Sequence, residues 1–478
     1  MTREGPDKIG TGMIEKLPGP PSPSPEDSPN DVLPTPRLDR HLSLLGAIGL
    51  AFTITNAWMS YAATFGTALV YGGGITVLFA VMVAAAAQWI VLLGLSELTS
   101  AIPSSGGSYH FTYFLAPKKT RNFASFTVGI INLMGFWIGG VSAMIYTTIS
   151  ILGMVAFWVD GFAPSQWQVY LAYVALICLS LTPIFTIPQK KTKYMTASSF
   201  AMSVFCLILF ILVLLAMGRG HYQPRNLVLH RNLSGWPDST AWLLSITLGQ
   251  FSFSAAGTVV HLAEEVPRPA RNIPIAINAT MLLSILTAIP FTIVLLGGIR
   301  DIDAVQKAWI PTIEVFYQTT GSRAIATFLQ GCLALLYFTV VSTQWISVSR
   351  IAWSLSRDNI LPFSTYWNRI DPKYGFPVRA TLLSAGFCIF FGLIYIASTA
   401  AFNSVVNLAT LLVNIAFTVP QGILVCGRRK LVHSGSAVLV AISLFIYLTY
   451  ITRRKAFSGP TSHLYPLDTP GLQSRVKE

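Results

Sequence analysis

Apolar stretches of about 20 residues, each long enough to cross roughly 30 Å of hydrocarbon as a helix, recur along the whole chain. They fall at 44–70, 75–95, 123–157, 168–187, 195–217, 241–263, 273–298, 321–349, 379–399, 402–426 and 434–451. The pattern predicts an all-α polytopic membrane protein with about eleven spans. The third and eighth stretches exceed a straight crossing, which predicts tilt or turns outside the membrane. Residues 1–41, rich in Pro, Ser, Asp and Lys and lacking an apolar core, read as a disordered cytoplasmic tail and not as a signal peptide. A membrane domain over 42–452 follows, then a polar tail over 453–478.

Two of these spans break the apolar pattern in their middles. The sixth carries Phe251-Ser-Phe-Ser-Ala-Ala-Gly257-Thr and closes with His261-Leu-Ala-Glu-Glu-Val-Pro-Arg-Pro-Ala-Arg271. The first reads Leu44-Leu-Gly46-Ala-Ile-Gly49-Leu-Ala-Phe-Thr-Ile-Thr-Asn56-Ala-Trp58. A helix that unwinds inside a membrane must turn its freed amides and carbonyls toward protein, water or a ligand, and discontinuous spans of this kind build midplane substrate sites in many transporters. If spans 1–5 and 6–10 are repeats, the odd repeat length inverts one copy relative to the other. That predicts a five-plus-five inverted-repeat fold with broken spans 1 and 6 at its centre.

Composition agrees with the membrane reading: 53% of residues are hydrophobic and 11% charged, which excludes an ordinary soluble domain. The net charge of +13 does not imply nucleic acid, because the basic residues lie between spans and not in one patch. With the N-terminus inside, the inner segments hold 21 Lys and Arg against six in the outer loops, the bias that sets orientation. Cys178, Cys206, Cys332, Cys388 and Cys426 all fall in apolar runs without paired spacing, so no disulfide framework or metal site is expected. No phosphate loop, metal-ligand cluster or Ser/His/Asp set suggests an enzyme or a cofactor. Asn232-Leu-Ser is a glycosylation sequon in the predicted outer loop 218–240, whereas Asn278-Ala-Thr opens span 7 and is inaccessible.

Four motifs in order carry a family resemblance. They are Gly46-Ala-Ile-Gly49-Leu-Ala-Phe with Thr55-Asn56-Ala-Trp58; Ser96-Glu97-Leu-Thr-Ser-Ala-Ile-Pro103-Ser-Ser-Gly106-Gly107-Ser-Tyr-His; His261-Leu-Ala-Glu264-Glu265-Val with Pro274; and Ser349-Arg350-Ile-Ala-Trp353-Ser-Leu-Ser-Arg357-Asp358-Asn-Ile-Leu-Pro362-Phe. From about residue 40 to 430 the chain resembles the amino acid–polyamine–organocation superfamily, specifically fungal permeases for amino acids, γ-aminobutyrate and choline. The resemblance implies a secondary active transporter in the plasma membrane, moving an amino acid or a related small amine such as γ-aminobutyrate by alternating access with proton symport. A choline or organocation permease, and a transport-inactive nutrient sensor, stay open as alternatives. Relatives of this kind usually have twelve spans; here the eleventh is missing, since Gly427-Arg-Arg-Lys430 runs almost directly into the 434–451 segment.

The resemblance also implies that substrate sits between the broken spans, with Gly46, Ala47, Gly49, Ala51, Thr55 and Asn56 on one side and Phe251, Phe253, Ser254 and Gly257 on the other. Amides freed after Gly46 and Gly49, at the positive end of a half-helix, suit a carboxylate, while carbonyls around Ser254–Gly257 suit an ammonium. Phe251 and Phe253 could cap it. The bland alternative is that the glycines serve close helix packing. Two positions depart from the family pattern: Ala51 replaces a glycine, and Gly257 stands where many relatives carry an acid. At the inner end, Glu264 and Glu265 are expected to pair with the arginines of their own loop, Arg268 and Arg271, or with those of 350–357, among them Arg350, as a structural element or an inner gate. His261 and Glu97 are further gating or proton-coupling candidates, and span 5 has no acid or lysine deep within it to act as a proton relay.

Overall fold

The computed structural model describes residues 42–187, 191–397 and 399–426. The expected N-terminal tail, the 434–451 segment, the missing eleventh span and the C-terminal tail lie outside the described residues. Within them the protein is helical throughout, and nine helices are long and apolar enough to cross a membrane. The first, Leu44–Ala101, has 58 residues, nearly three times what one crossing needs. It holds two spans, because Gly72 (φ −177°, ψ 16°) and Gly73 (φ 74°, ψ −163°) leave the helical region and reverse the chain. Glycine is required at 73, where φ is left-handed and an added Cβ would stand 2.6 Å from the Leu229 carbonyl oxygen.

Ten crossings result among the described residues, matching the first ten expected. Spans 3 to 5 are Arg121–Trp158, Gln166–Thr186 and Thr192–Met217. Span 6 is Asp238–Ser254, continued by a tighter 3₁₀ helix, Ala255–Leu262. Spans 7 to 10 are Pro269–Gly298, Arg323–Arg357, Val378–Ala397 and Thr399–Cys426. The long third and eighth runs prove to be unbroken helices of 38 and 35 residues. At about 1.5 Å per residue each is long enough to project well beyond the hydrocarbon, in keeping with the tilt or turns outside the membrane expected of them.

The packing is two-fold in pattern. Span 1 lies on span 7 and span 6 on span 2, span 1 on span 5 and span 6 on span 10, and span 3 on span 8. These contacts of one half have counterparts in the other, as an inverted repeat requires. The outer helices turn large apolar side chains outward, including Phe205, Ile208 and Leu212 of span 5 and Leu282 and Leu286 of span 7. In a bilayer these faces meet lipid, which costs nothing there.

Orientation can be read out directly. In a cysteine-free background, Asp160→Cys, exposed after span 3, should react with an impermeant maleimide in intact cells, and Lys118→Cys, exposed before it, only after permeabilisation. The reverse pattern would invert the topology assigned from the basic residues.

Candidate functional site: a neutral cavity above a charged gate

Span 1 breaks at Asn56, whose left-handed backbone (φ 32°, ψ 58°) separates Leu44–Thr55 from the helix beginning at Ala57. Asparagine tolerates this conformation better than most residues. Its side chain secures the break: Trp58 Nε1 donates to Ser203 Oγ (3.1 Å), which donates to Asn56 Oδ1 (3.0 Å). This buried chain fastens the break to span 5, and Phe210 and Phe291 meet the Trp58 ring edge-on at 5.7 and 4.9 Å. Ser60 Oγ donates to the Thr55 carbonyl (3.0 Å), whereas the amides of Ala57 and Trp58, at the start of the second half-helix, make no hydrogen bond to the described backbone.

Span 6 changes pitch at Ala255 instead of unwinding. The step from α to 3₁₀ geometry keeps its carbonyls engaged, and the hydroxyls of Ser254 and Thr258 bond back to Phe251 and Ala255. The freed carbonyls expected around Ser254–Gly257 are therefore mostly occupied, and that expectation is corrected.

A cavity of about 60 Å³ lies between these two points, room for a few waters at about 10–15 Å³ each. Spans 1, 3, 6, 8 and 10 enclose it: Thr55, Met59 and Ser60; Gly135, Phe136, Gly139 and Tyr146; Phe251, Ser254 and Ala255; Tyr337 and Gln344; Ala409 and Val413. Among the described residues four aromatic rings share the wall, and no Lys, Arg, Asp, Glu or His lines it. Tyr337 is fixed by donating to the Met59 carbonyl (3.1 Å), and Gln344 by donating to the Phe136 carbonyl (3.0 Å).

Of the residues expected to bind substrate, Thr55, Phe251 and Ser254 line this cavity. The others sit elsewhere. Helix Leu44–Thr55 runs unbroken through Gly46, Ala47, Gly49 and Ala51, so no amides are freed after the glycines. The Gly46 amide is instead capped by Ser43 Oγ (3.1 Å). A Cβ at Gly49 would meet only the Phe200 Cβ at 4.0 Å, ordinary contact, so that glycine guards no cradle. The Ala51 carbonyl accepts from Thr55 Oγ1 (2.7 Å). Asn56 makes the break but faces Ser203, and Phe253 is buried in the core. Gly257 packs under Phe417 and Leu95, where a Cβ would approach to 2.6 and 2.9 Å, so an acid could enter only by displacing the Phe417 ring.

Sequence reading missed Phe136, Tyr146, Tyr337 and Gln344. Polar or phenolic residues deep in apolar spans 3 and 8 were the available signal.

Beyond the cavity, the inner ends of spans 6 and 8 are joined by ion pairs. Arg350 Nε donates to Glu265 Oε1 (2.8 Å), with both side chains almost fully buried. Arg357 Nη1 donates to Glu264 Oε1 (2.9 Å), which also accepts from Ser105 Oγ (2.5 Å). His261 Nδ1 reaches the Ser105 carbonyl (3.0 Å). The loop carrying Ser105 is held from the other side, since His110 Nε2 lies 2.6 Å from Asp358 Oδ2 and the Tyr109 hydroxyl donates to the same oxygen (2.9 Å). Burial alone would raise the Asp358 carboxyl; the His110 bond and charge, Tyr109 and Arg357 outweigh it and hold it below its ordinary value. Glu264 and His261 thus meet through Ser105, Glu265 and Arg350 pair with each other, and Glu97, on span 2, is half-buried and also engaged.

The profile of the amino acid permease family matches residues 42–462. The chain belongs to that family. The permease is 27% identical to a choline transporter of Saccharomyces cerevisiae over 83% of this chain and 71% of the relative. A GABA-specific permease of the same yeast is 26% identical over 83% and 71%, and a swainsonine transporter of Arthroderma benhamiae 26% over 81% and 78%. The permease is accordingly a multi-pass membrane transporter and not an enzyme.

The buried Glu265–Arg350 pair gives a test of the gate's cohesion. Glu265→Gln leaves Arg350 short of its partner charge at a cost of about 3–5 kcal/mol. The detergent-solubilised variant should melt well below the wild type, while Glu265→Met combined with Arg350→Met recovers most of the loss. Equal melting of the single variant and the wild type would deny the pair that role.

Proposed function

We propose that this permease is a secondary transporter of a small amine-bearing solute, bound in the cavity between the breaks of spans 1 and 6 and moved by alternating access. The observation carrying this reading is the cavity wall: four aromatic rings and no ionised side chain. Aromatic faces attract a desolvated ammonium by about 2 kcal/mol each in favourable cases, and the absence of fixed charge spares a neutral or singly charged solute any mismatched partner. Solute entering from outside would rest on the closed gate, and release inward would need Glu264 and Arg357 to part. The reading includes proton symport at the plasma membrane, which the family resemblance implies.

Two substrate classes fit. A quaternary ammonium such as choline suits the rings, being weakly hydrated and needing no hydrogen-bond acceptor. A zwitterion such as an amino acid or γ-aminobutyrate suits the free amides of Ala57 and Trp58 at a half-helix N-terminus. The rings line the cavity and those two residues do not, which favours the ammonium as the chief anchor. The similarity to both a choline transporter and a GABA-specific permease accords with a shared amine.

Uptake of labelled choline and γ-aminobutyrate in cells lacking their own carriers tests the reading. Saturable uptake of one of them is expected, with Phe251→Leu raising KM by about thirtyfold, the equivalent of about 2 kcal/mol. If the solute is a zwitterion, its methyl ester should compete far more weakly than the parent. Uptake of neither solute, or an unchanged KM, would count against this cavity as the amine site; unsaturable flux without counterflow would indicate a channel, and surface expression without flux a sensor.

A further inference from the structure

His261 occupies a place that no charged residue of the gate needs. It is buried on the 3₁₀ segment of span 6, with Nδ1 3.0 Å from the Ser105 carbonyl and Nε2 3.1 Å from Asn132 Nδ2 on span 3. A carbonyl only accepts, so Nδ1 carries the hydrogen and Nε2 is the bare nitrogen that accepts from the Asn132 amide. His261 is therefore neutral in this state. Asn132 is fully buried, and its Oδ1 has no hydrogen-bond partner. An orphaned acceptor in the membrane interior is costly and calls for a reason.

We propose that His261 and Asn132 form a proton-binding site that couples proton movement to the inner gate. When a proton binds Nε2, the Asn132 amide turns over and its free Oδ1 accepts the new N–H. The two protonation states then have matching hydrogen bonds, with the orphan alternating between Oδ1 and Nδ2. A pair of neutral residues can thus take up a proton without a resident carboxylate, which answers the absence of an acid in the cavity and of a relay in span 5.

The site joins the cavity to the gate. Asn132 lies one helical turn before Phe136, which lines the cavity and meets the His261 ring edge-on at 5.9 Å. On the other side Nδ1 holds the Ser105 carbonyl while Ser105 Oγ holds Glu264. Gly107 lets this loop close over the imidazole: its φ is +60°, and an added Cβ would stand 2.8 Å from His261 Cε1. The charged and titratable groups on the elements packed around the imidazole are Glu264 and Glu265 beyond it on its own span, His110 from the loop helix, Arg350 and Arg357 with Asp358 from span 8, Arg271 at the start of span 7, and Glu97 on span 2. Spans 1 and 10 contribute none, and span 3 only Arg121 at its far end. A proton entering from the outer solution through the cavity would add positive charge beside Glu264, competing with Arg357 for that carboxylate and loosening the gate. It would leave to the cytoplasm once the Ser105 loop withdraws.

This inference rests on the transport reading above, and the test separates the two. In proteoliposomes loaded with choline or γ-aminobutyrate, whichever the wild type carries, counterflow needs no proton, whereas accumulation driven by an inward pH gradient does. His261→Gln, which cannot hold the charge, should keep measurable counterflow and lose gradient-driven accumulation by tenfold or more. Asn132→Asp supplies a carboxylate beside the imidazole, so the pH of half-maximal accumulation should move up by about one to three pH units. Undiminished accumulation in His261→Gln, an unmoved profile in Asn132→Asp, or loss of counterflow in both would overturn the proposal and leave the pair a structural role. A wild type without counterflow of either solute would remove the transport reading, and this proposal with it.

Discussion

A peptide chain that leaves the helix inside a membrane must bind each freed backbone group to something other than water, and the core of this permease is arranged around that constraint. At Asn56 the hydroxyls of Thr55 and Ser60 occupy the Ala51 and Thr55 carbonyls, the side-chain link Trp58–Ser203–Asn56 holds the joint, and the amides of Ala57 and Trp58 have no partner in the described backbone. In span 6 the requirement is met by a change of pitch to a 3₁₀ helix. The two solutions differ, and so do their consequences: span 1 has a sharp joint with free amides beyond it, and span 6 a stiffer tapered segment whose end carries the gate.

Electrostatics divide the molecule along the same axis. The cavity wall has no ionised side chain, while Glu264, Glu265, Arg350, Arg357 and Asp358 crowd the face that the basic residues assign to the cytoplasm. Charges paired and hydrogen-bonded this closely hold a door shut without adding much net stability, because the desolvation cost offsets most of the attraction. Such a door can open for a modest input of free energy. The amine and the proton proposed above would be inputs of that scale.

Much of the architecture was legible in the chain. Ten spans, their order, the interruptions of the first and sixth, and the presence of acids at the end of span 6 and arginines at the end of span 8 follow from hydropathy period, small polar runs and charge placement, all local properties. The residues lining the cavity were legible only in part. Thr55, Phe251 and Ser254 were within reach because they flank the interruptions, but the glycines of the first span misled: Gly46 and Gly49 look like helix breakers, yet each lies in continuous helix, and the break falls at Asn56, whose left-handed backbone no composition rule singles out.

What the sequence by itself determined was therefore membrane residence, the helical repeat and the existence of two weak points, since each depends on residues close together in the chain. Only the tertiary structure decided which side chains share the cavity and the gate. Phe136, Tyr146 and Tyr337 reach Phe251 because spans 3, 6 and 8 converge, and Asn132 meets His261 across 129 positions of sequence. A helix face is chosen by packing against several neighbours at once, and that choice is not written in any one span.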